Sequence, residues 1–178
     1  LFAPRGYLAA SDDERLRQLN EAFRDPHTAA VLPARGGYGC ARLLDSVDYQ
    51  ALAQRPKVLV GFSDLTALHA AIAARTGLIT FHGPNLQDGW GRQGGFPRAA
   101  RQAWERAVFG AEESPMGEIV LDAEHRDRLE TLVPGVAQGR LYGGNLAVWA
   151  GPVGSPYLPD LRGNVLLLED IGEQPYRL

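Results

Sequence analysis

Hydrophobic residues recur along the chain at two kinds of spacing, and the two kinds alternate. Short apolar runs typical of buried strands are followed by longer segments in which apolar residues recur at helical spacing. The short runs cover residues 29–32, 57–61, 78–81 and 164–168. Because strands that alternate with helices indicate βαβ units, we predict an α/β fold with a largely parallel sheet flanked by helices.

The helical segments have recognisable ends. Ser11 precedes three acidic residues and a helical pattern, so we expect it to cap the first helix, which Pro26 ends. Helical residues follow from Ala41. The remaining segments predict helices over 65–75 and 97–109 and a short helix that starts at 146, after Gly143-Gly-Asn145 breaks the chain. Residues 83–96 are rich in glycine and predict a long loop.

Composition narrows the class of protein. The chain has 178 residues, 45% of them hydrophobic, and a net charge of −3, which is typical of a globular domain and gives no attraction to nucleic acid. No apolar run reaches the roughly 18 residues that a membrane helix needs. The single Cys40 excludes an internal disulfide and a cysteine metal cluster, and is read as a small buried residue rather than a reactive thiol. No His, Asp or Glu spacing suggests a metal site.

Candidate chemistry follows the predicted strands, because ligands of parallel sheets bind at the carboxyl ends of the strands. Residues 34–40 form a glycine-rich turn whose N–H groups could face an anion, and Arg35 is either a carboxylate ligand or part of a structural ion pair. Ser63 lies between a predicted strand and a predicted helix. It is interpreted either as a nucleophile or as the N-cap of that helix. Glu169 ends the last strand, as a carboxylate that orients a histidine or as a solvated acid.

A serine nucleophile needs a base, and the chain contains four histidines. His27 and His125 lie in polar surroundings, and His69 lies within a helix, where a partly buried, hydrogen-bonded imidazole is the simpler interpretation. His82 directly follows a strand and is the best placed. Structural or substrate-contact roles remain open for it beside catalysis.

Five short motifs occur in a fixed order and resemble one known family. They are Ala34-Arg-Gly-Gly-Tyr-Gly39, Gly61-Phe-Ser-Asp64, Phe81-His-Gly-Pro84, Gly143-Gly-Asn-Leu146 and Leu168-Glu-Asp-Ile171. Each is weak alone, but together and in this order they resemble the LD-carboxypeptidase family. These are muramoyl-tetrapeptide carboxypeptidases, and the family also contains microcin-immunity peptidases.

The resemblance implies a serine hydrolase with a Ser-Glu-His triad and without a cofactor or metal. Its nucleophile would be Ser63 and its triad acid Glu169. The oxyanion hole would consist of the backbone N–H groups of Asp64 and Gly37, with Gly36 as the alternative to Gly37. Arg35 and His82 are our candidates for substrate contacts.

The resemblance also implies a two-domain enzyme. Residues 1–110 would form an α/β nucleophile domain, and residues 111–178 a connecting region and the start of a smaller C-terminal domain. The family's first strand is expected before Leu1 and its triad histidine beyond Leu178. We therefore hypothesise that the chain is an internal part of a longer enzyme.

The implied reaction is hydrolysis of an L,D peptide bond that releases D-Ala from murein tetrapeptide during peptidoglycan recycling, in a cytoplasmic homodimer. Nucleic acid and membranes are not expected as partners. One alternative is an immunity-type peptidase that cleaves an acyl-nucleotide toxin. Trp90 or Trp149 would then stack on the nucleotide base, and the other interpretation of these residues is a tryptophan that packs in the core or against a loop. Another is a non-catalytic α/β module that binds an anion at Arg35, with Ser63 capping a helix.

Overall fold

The α/β class is confirmed in a computed structural model that describes residues 6–110 and 127–177. Three short strands, β1 (Ala30–Val31), β2 (Val58–Gly61) and β3 (Phe81–His82), form a parallel sheet in the order β1-β2-β3. A second parallel sheet pairs β4 (Leu141–Asn145) with β5 (Val165–Glu169). The parallel pairing follows the prediction, although the described strands form two small sheets rather than one.

Five α-helices surround these sheets in the described part of the chain. They are α1 (Asp12–Arg24), α2 (Tyr49–Gln54), α3 (Leu65–Thr76), α4 (Arg98–Phe109) and α5 (Leu146–Ala150). Residues Ala41–Ser46 and Pro175–Arg177 form 3₁₀ turns, so the helix expected from Ala41 is a 3₁₀ turn followed by α2. Ser11 caps α1 as predicted, since its hydroxyl accepts a hydrogen bond from the Glu14 N–H.

Two sequence predictions of local structure were wrong. Gly143-Gly-Asn145 does not break the chain, because these residues belong to β4 and pair with β5 residue by residue. The glycines are needed for close packing, since a Cβ on Gly144 would lie 2.5 Å from Thr66 Oγ1 of α3. The bounds of the third strand were also wrong: β3 shares only Phe81 with the predicted run 78–81, and Ile79, which is 80% exposed, lies outside it.

Helix α3 is the centre of the packing. Residues 65–72 are all buried, and α3 contacts β3 of the first sheet and β4 of the second. Its apolar side chains join a core that includes Phe23, Leu44, Leu52 and Leu59. Both sheets are therefore positioned by the helix that begins directly after Ser63.

None of the described helices is both long enough and apolar enough to cross a bilayer.

Candidate active site

Ser63 lies in a sharp turn between the end of β2 and the start of α3. Its φ is +63°, and it is the one non-glycine residue with a positive φ in the described part of the chain. The N-cap of α3 is Asp64, and the Ser63 hydroxyl has no hydrogen-bond partner among the described residues. The helix-cap interpretation of Ser63 was therefore wrong, and its hydroxyl is left available for chemistry.

The Ser63 turn is held in a strained conformation. A positive φ costs a serine on the order of 1–3 kcal/mol and persists only where surrounding contacts fix it. The carbonyl of Gly61, two residues earlier, accepts hydrogen bonds from the Gly83 N–H at 3.1 Å and from His69 Nε2 at 2.9 Å. Because His69 belongs to α3, this bond joins the two arms of the turn.

His69 is a structural imidazole and not a base. It is 6% exposed, and burial lowers its pKa to about 4, so the ring is neutral at neutral pH. A neutral ring that donates from Nε2 to the Gly61 carbonyl has a bare Nδ1, and Nδ1 finds no hydrogen-bond donor among the described residues. The prediction of a hydrogen-bonded histidine within a helix is confirmed.

The glycine-rich turn lies directly against Ser63. A Cβ on Gly36 would be 3.0 Å from Ser63 Cβ and 3.3 Å from its Oγ, so only glycine allows this approach. The backbone N–H groups of Gly36, Gly37 and Asp64 donate to no acceptor within residues 6–110 and 127–177. The turn therefore brings unpartnered N–H donors next to the serine, as an oxyanion hole requires.

Arg35 makes no ion pair with any residue that the structure describes, so no described contact supports a structural ion pair for it. The residue is exposed, and its guanidinium lies 3.8 Å from where a Cβ on Gly37 would be. Its charge is therefore free to meet a substrate carboxylate at the edge of the glycine-rich turn.

Glu169 is the last residue of β5, at the carboxyl end of the second sheet, opposite Asn145 of β4. Its Oε1 is buried and has no hydrogen-bond partner among the described residues, although 37% of the side chain is exposed. The neighbouring Asp170 is used structurally, because its carboxylate accepts from the N–H groups of Ala147 and Ile171. Of the two neighbouring acids at this point of the chain, Glu169 is thus the one with an unused carboxylate oxygen.

His82 connects the two sheets. It pairs with Gly61 in the first sheet, and its Nε2 lies 3.8 Å from Glu169 Oε1. Burial lowers the pKa of His82 and outweighs the opposite effect of the Glu169 charge, so the ring is neutral at neutral pH. At this distance the two groups face each other without a hydrogen bond.

Asn85 is a site residue that the sequence analysis missed. It is 1% exposed, its Oδ1 has no hydrogen-bond partner in the described chain, and its Nδ2 donates to Asp88 at 3.4 Å. The same side chain lies within 3.5 Å of where Cβ atoms on Gly36 and Gly61 would be. Its position directly after the Gly83-Pro84 turn that follows β3 was the available signal.

A polar cavity opens beside the serine turn. It has a volume of about 500 Å³ and is lined by Phe62, Gln87, Asp88, Gly91, Arg92 and Gln93. All but Phe62 belong to the long loop predicted over 83–96. That loop therefore forms most of the wall of a cavity that also contacts Phe62, the residue directly before Ser63.

The two tryptophans considered for base stacking differ in exposure. Trp149 is 5% exposed and packs in the core, which excludes it from stacking on a ligand. Trp90 is 45% exposed, with its ring edge-to-face against Phe96 and Trp104 at 5.0 and 4.9 Å between centroids. Only Trp90 keeps an accessible face.

The remaining candidate groups carry no chemistry in the described chain. Burial, reinforced by the Asp64 charge, raises the pKa of the half-buried Cys40 thiol, which keeps it protonated and unreactive. His27 is exposed on a loop, and His125 lies outside the described residues. No group of His, Cys, Asp and Glu among residues 6–110 and 127–177 could hold a metal ion.

Comparison with known families gives this arrangement a context. Residues 2–83 match the model of the LD-carboxypeptidase N-terminal domain, and residues 138–178 match that of the LD-carboxypeptidase C-terminal domain. The chain belongs to the LD-carboxypeptidase family. The resemblance inferred from the five motifs is confirmed, and the two matched segments contain Ser63 and Glu169 respectively.

Several LD-carboxypeptidase relatives are similar over nearly the whole chain. A probable murein peptide carboxypeptidase of Bacillus subtilis is 42% identical over 173 residues, which is 97% of this chain and 52% of the relative. The structure of a muramoyltetrapeptide carboxypeptidase from Oxalobacter formigenes matches with a TM-score of 0.79 at 33% identity, over 97% of this chain and 55% of that one. Both names describe peptidases that act on murein peptides.

The microcin C7 self-immunity protein MccF of Escherichia coli is also similar, with 29% identity over 92% of this chain and 53% of the relative. A structure of MccF in the apo state gives a TM-score of 0.78 at 28% identity, covering 97% of this chain and 57% of that one. The chain thus spans about half the length of the relatives it matches.

Proposed function

We propose that this chain carries the nucleophile, the oxyanion hole and the triad acid of a serine LD-carboxypeptidase that releases C-terminal D-Ala from murein tetrapeptide. The observation that carries the proposal is the strained, unpartnered Ser63 between β2 and α3. A turn of this kind presents a serine hydroxyl above a parallel sheet, where substrates bind. Family membership and the names of the relatives support the reaction class.

Acylation begins when a base takes the proton of Ser63 and the serine oxygen attacks the carbonyl carbon of the L,D peptide bond. The negative charge that develops on the carbonyl oxygen is stabilised by the backbone N–H groups of Asp64 and Gly37. These groups have no acceptor of their own in the described chain, so no existing hydrogen bond must break. The base then protonates the amine of D-Ala, which leaves.

Deacylation repeats these steps with water as the nucleophile, and the serine recovers its proton. Glu169 orients the imidazole of the base and stabilises its protonated form. Its buried, unpartnered Oε1 suits this role, because an acceptor oxygen is available for an imidazole N–H. Arg35 and the polar cavity beside Phe62 are placed to bind substrate.

The base is proposed to come from the part of the full-length protein beyond residues 1–178. Among the histidines the structure describes, His27 is exposed on a loop and His69 is buried against the Gly61 carbonyl. His82 faces Glu169 but lies outside hydrogen-bond distance. The proposal includes the domain division at residues 110 and 111 and a cytoplasmic homodimer, the setting in which murein tetrapeptide would be recycled.

Cleavage of an acyl-nucleotide toxin is the second candidate, and the similarity to MccF is the observation that favours it. Trp90 is the aromatic residue that could stack on a base. The probable murein peptide carboxypeptidase of Bacillus subtilis is more similar than MccF, at 42% identity against 29%, so we rank the murein substrate first.

The test is D-Ala release from murein tetrapeptide by the full-length protein that contains this chain, compared with an aminoacyl-sulfamoyl nucleoside as substrate. The Ser63→Ala variant should lose release and should no longer react with a fluorophosphonate probe. Ser46→Ala, which removes an exposed hydroxyl away from the site, is the matched control and should keep both. Undiminished release by Ser63→Ala would exclude Ser63 as the nucleophile. Preferential cleavage of the nucleoside would favour the second candidate.

A further inference from the structure

The glycine-rich turn is anchored on its N-terminal side by the loop that follows β3. The carbonyls of Pro33 and Ala34 accept hydrogen bonds from the N–H groups of Leu86 and Gln87 at 3.1 and 2.9 Å. These two bonds fix where the chain enters the turn. The residues that follow, from Arg35 to Tyr38, make no backbone hydrogen bonds to other described residues.

The C-terminal side of the turn is anchored by two side chains. Arg15 Nη2 donates to the Gly39 carbonyl at 3.2 Å. The next N–H, that of Cys40, donates to Asp64 Oδ2 at 2.8 Å. The second bond is the one that ties this turn to the Ser63 turn, because Asp64 directly follows Ser63 in the chain.

Asp64 occupies the N-cap position of α3 but does not cap the helix. Its side chain makes no capping hydrogen bond, although aspartate is among the best capping residues. The carboxylate is 7% exposed and is used on a backbone N–H that lies 24 residues earlier. A buried carboxylate bonded to a distant loop in this way holds two segments at a fixed separation.

We propose that the Asp64 side chain is a positioning residue that sets the distance between the two backbone donors of the oxyanion hole. One donor is the N–H of Asp64 itself, and the other belongs to Gly37 or Gly36 in the turn that the carboxylate holds. The inference rests on the proposed function, since it assigns the oxyanion hole to these N–H groups. Donors in such a hole must keep their places to within a fraction of an ångström to stabilise the transition state.

The test compares two substitutions at position 64 in the full-length protein. Asp64→Asn keeps an oxygen acceptor of the same shape and should keep kcat for D-Ala release within about fivefold of wild type. Asp64→Leu removes the acceptor, and kcat should fall about 100-fold, as when an oxyanion donor is displaced or lost, while KM changes little. The rate of fluorophosphonate labelling should fall in parallel with kcat.

A structural control separates positioning from stability. Asp48→Ala removes the N-cap of α2, because Asp48 Oδ1 accepts a hydrogen bond from the Ala51 N–H. The substitution does not alter the glycine-rich turn. It should lower the melting temperature without lowering kcat or labelling. If Asp64→Leu does not fold, Asp64→Ser takes its place, because its hydroxyl is too short to reach the Cys40 N–H.

Two results would overturn the inference. The first is a kcat for Asp64→Leu or Asp64→Ser equal to that of Asp64→Asn. The second is a loss that appears in KM alone. A wild-type protein that labels with fluorophosphonate but releases no D-Ala would refute only the murein substrate, and the labelling rates would then decide the role of Asp64. A wild-type protein that does neither would refute the proposed function and this inference with it.

Discussion

Thr66 Oγ1 of α3 accepts a hydrogen bond of 3.0 Å from the backbone N–H of Asn145 in β4. Thr66 lies three residues after Ser63 and is fully buried, and Asn145 is paired with Glu169 across the second sheet. One buried bond therefore joins the helix that follows Ser63, the proposed nucleophile, to the strand opposite Glu169, the proposed triad acid. The two halves of the proposed site are therefore connected through the buried core.

Replacing Thr66 with valine tests the effect of this hydrogen bond while the shape of the side chain is kept. Thr66→Val has nearly the same volume but leaves the Asn145 N–H buried without an acceptor, which costs about 1–3 kcal/mol in free energy of unfolding. Thr66→Ser keeps the acceptor and should restore most of the kcat that valine loses. Chemical denaturation and D-Ala release measure the two effects. Equal activity of the valine and serine variants would show that the bond does not align the site.

The strain at Ser63 predicts that activity and stability oppose each other at this position. Glycine adopts a φ of +63° without a steric penalty, whereas alanine meets the same penalty as serine. We expect Ser63→Gly to be more stable than Ser63→Ala by about 1 kcal/mol, with both variants inactive. Thermal or urea denaturation of the pair measures this difference. A glycine variant no more stable than the alanine variant would mean that the turn is relaxed.

His82 faces Glu169, the proposed triad acid, and its substitution tests whether it is the base. His82→Gln keeps a polar side chain, and since the base is proposed to lie elsewhere, we expect kcat to fall only a few-fold. Removal of a true general base costs about 100-fold or more. The pH dependence of kcat/KM should therefore keep its acidic limb in this variant. A loss as large as that of Ser63→Ala would instead identify His82 as the base.

The sequence predicted those parts of the fold that local chemistry specifies. The cap at Ser11, the apolar run of β2 and the alanine-rich segment of α3 depend on residues close together in the chain, and each of these predictions was confirmed. Gly143-Gly-Asn145 was misread because two glycines suggest a turn. The glycines are required instead by the close approach of β4 to Thr66, a residue about 80 positions earlier in the chain.

The candidate site likewise combines features that the sequence predicted with features that depend on contacts between distant residues. Motif order located Ser63 and Glu169, but their surroundings depend on contacts between distant segments. The bond from Asp64 to Cys40 and the burial of Asn85 leave no periodic trace in the sequence. The positive φ of Ser63 could not be predicted either, because serine favours negative φ and only the folded contacts hold it otherwise.

His69 predicts a loss of stability in mild acid. Its pKa is about 4 in the folded protein and about 6.5 in an unfolded chain, because burial away from water disfavours the charged ring and outweighs the opposite effect of the Gly61 carbonyl. Above pH 6.5 the ring is neutral in both states and the full stability is present. As the pH falls from 6.5 to 4 only the unfolded chain takes up the proton, so the free energy of unfolding should fall by about 3 kcal/mol. Urea denaturation across this range measures how steeply the free energy of unfolding depends on pH.

His69→Gln should remove this pH dependence. His82→Gln alters the nearest described imidazole, 6.5 Å away between ring centroids, and should keep most of the pH dependence. A slope that survives in His69→Gln would assign the acid sensitivity to other groups.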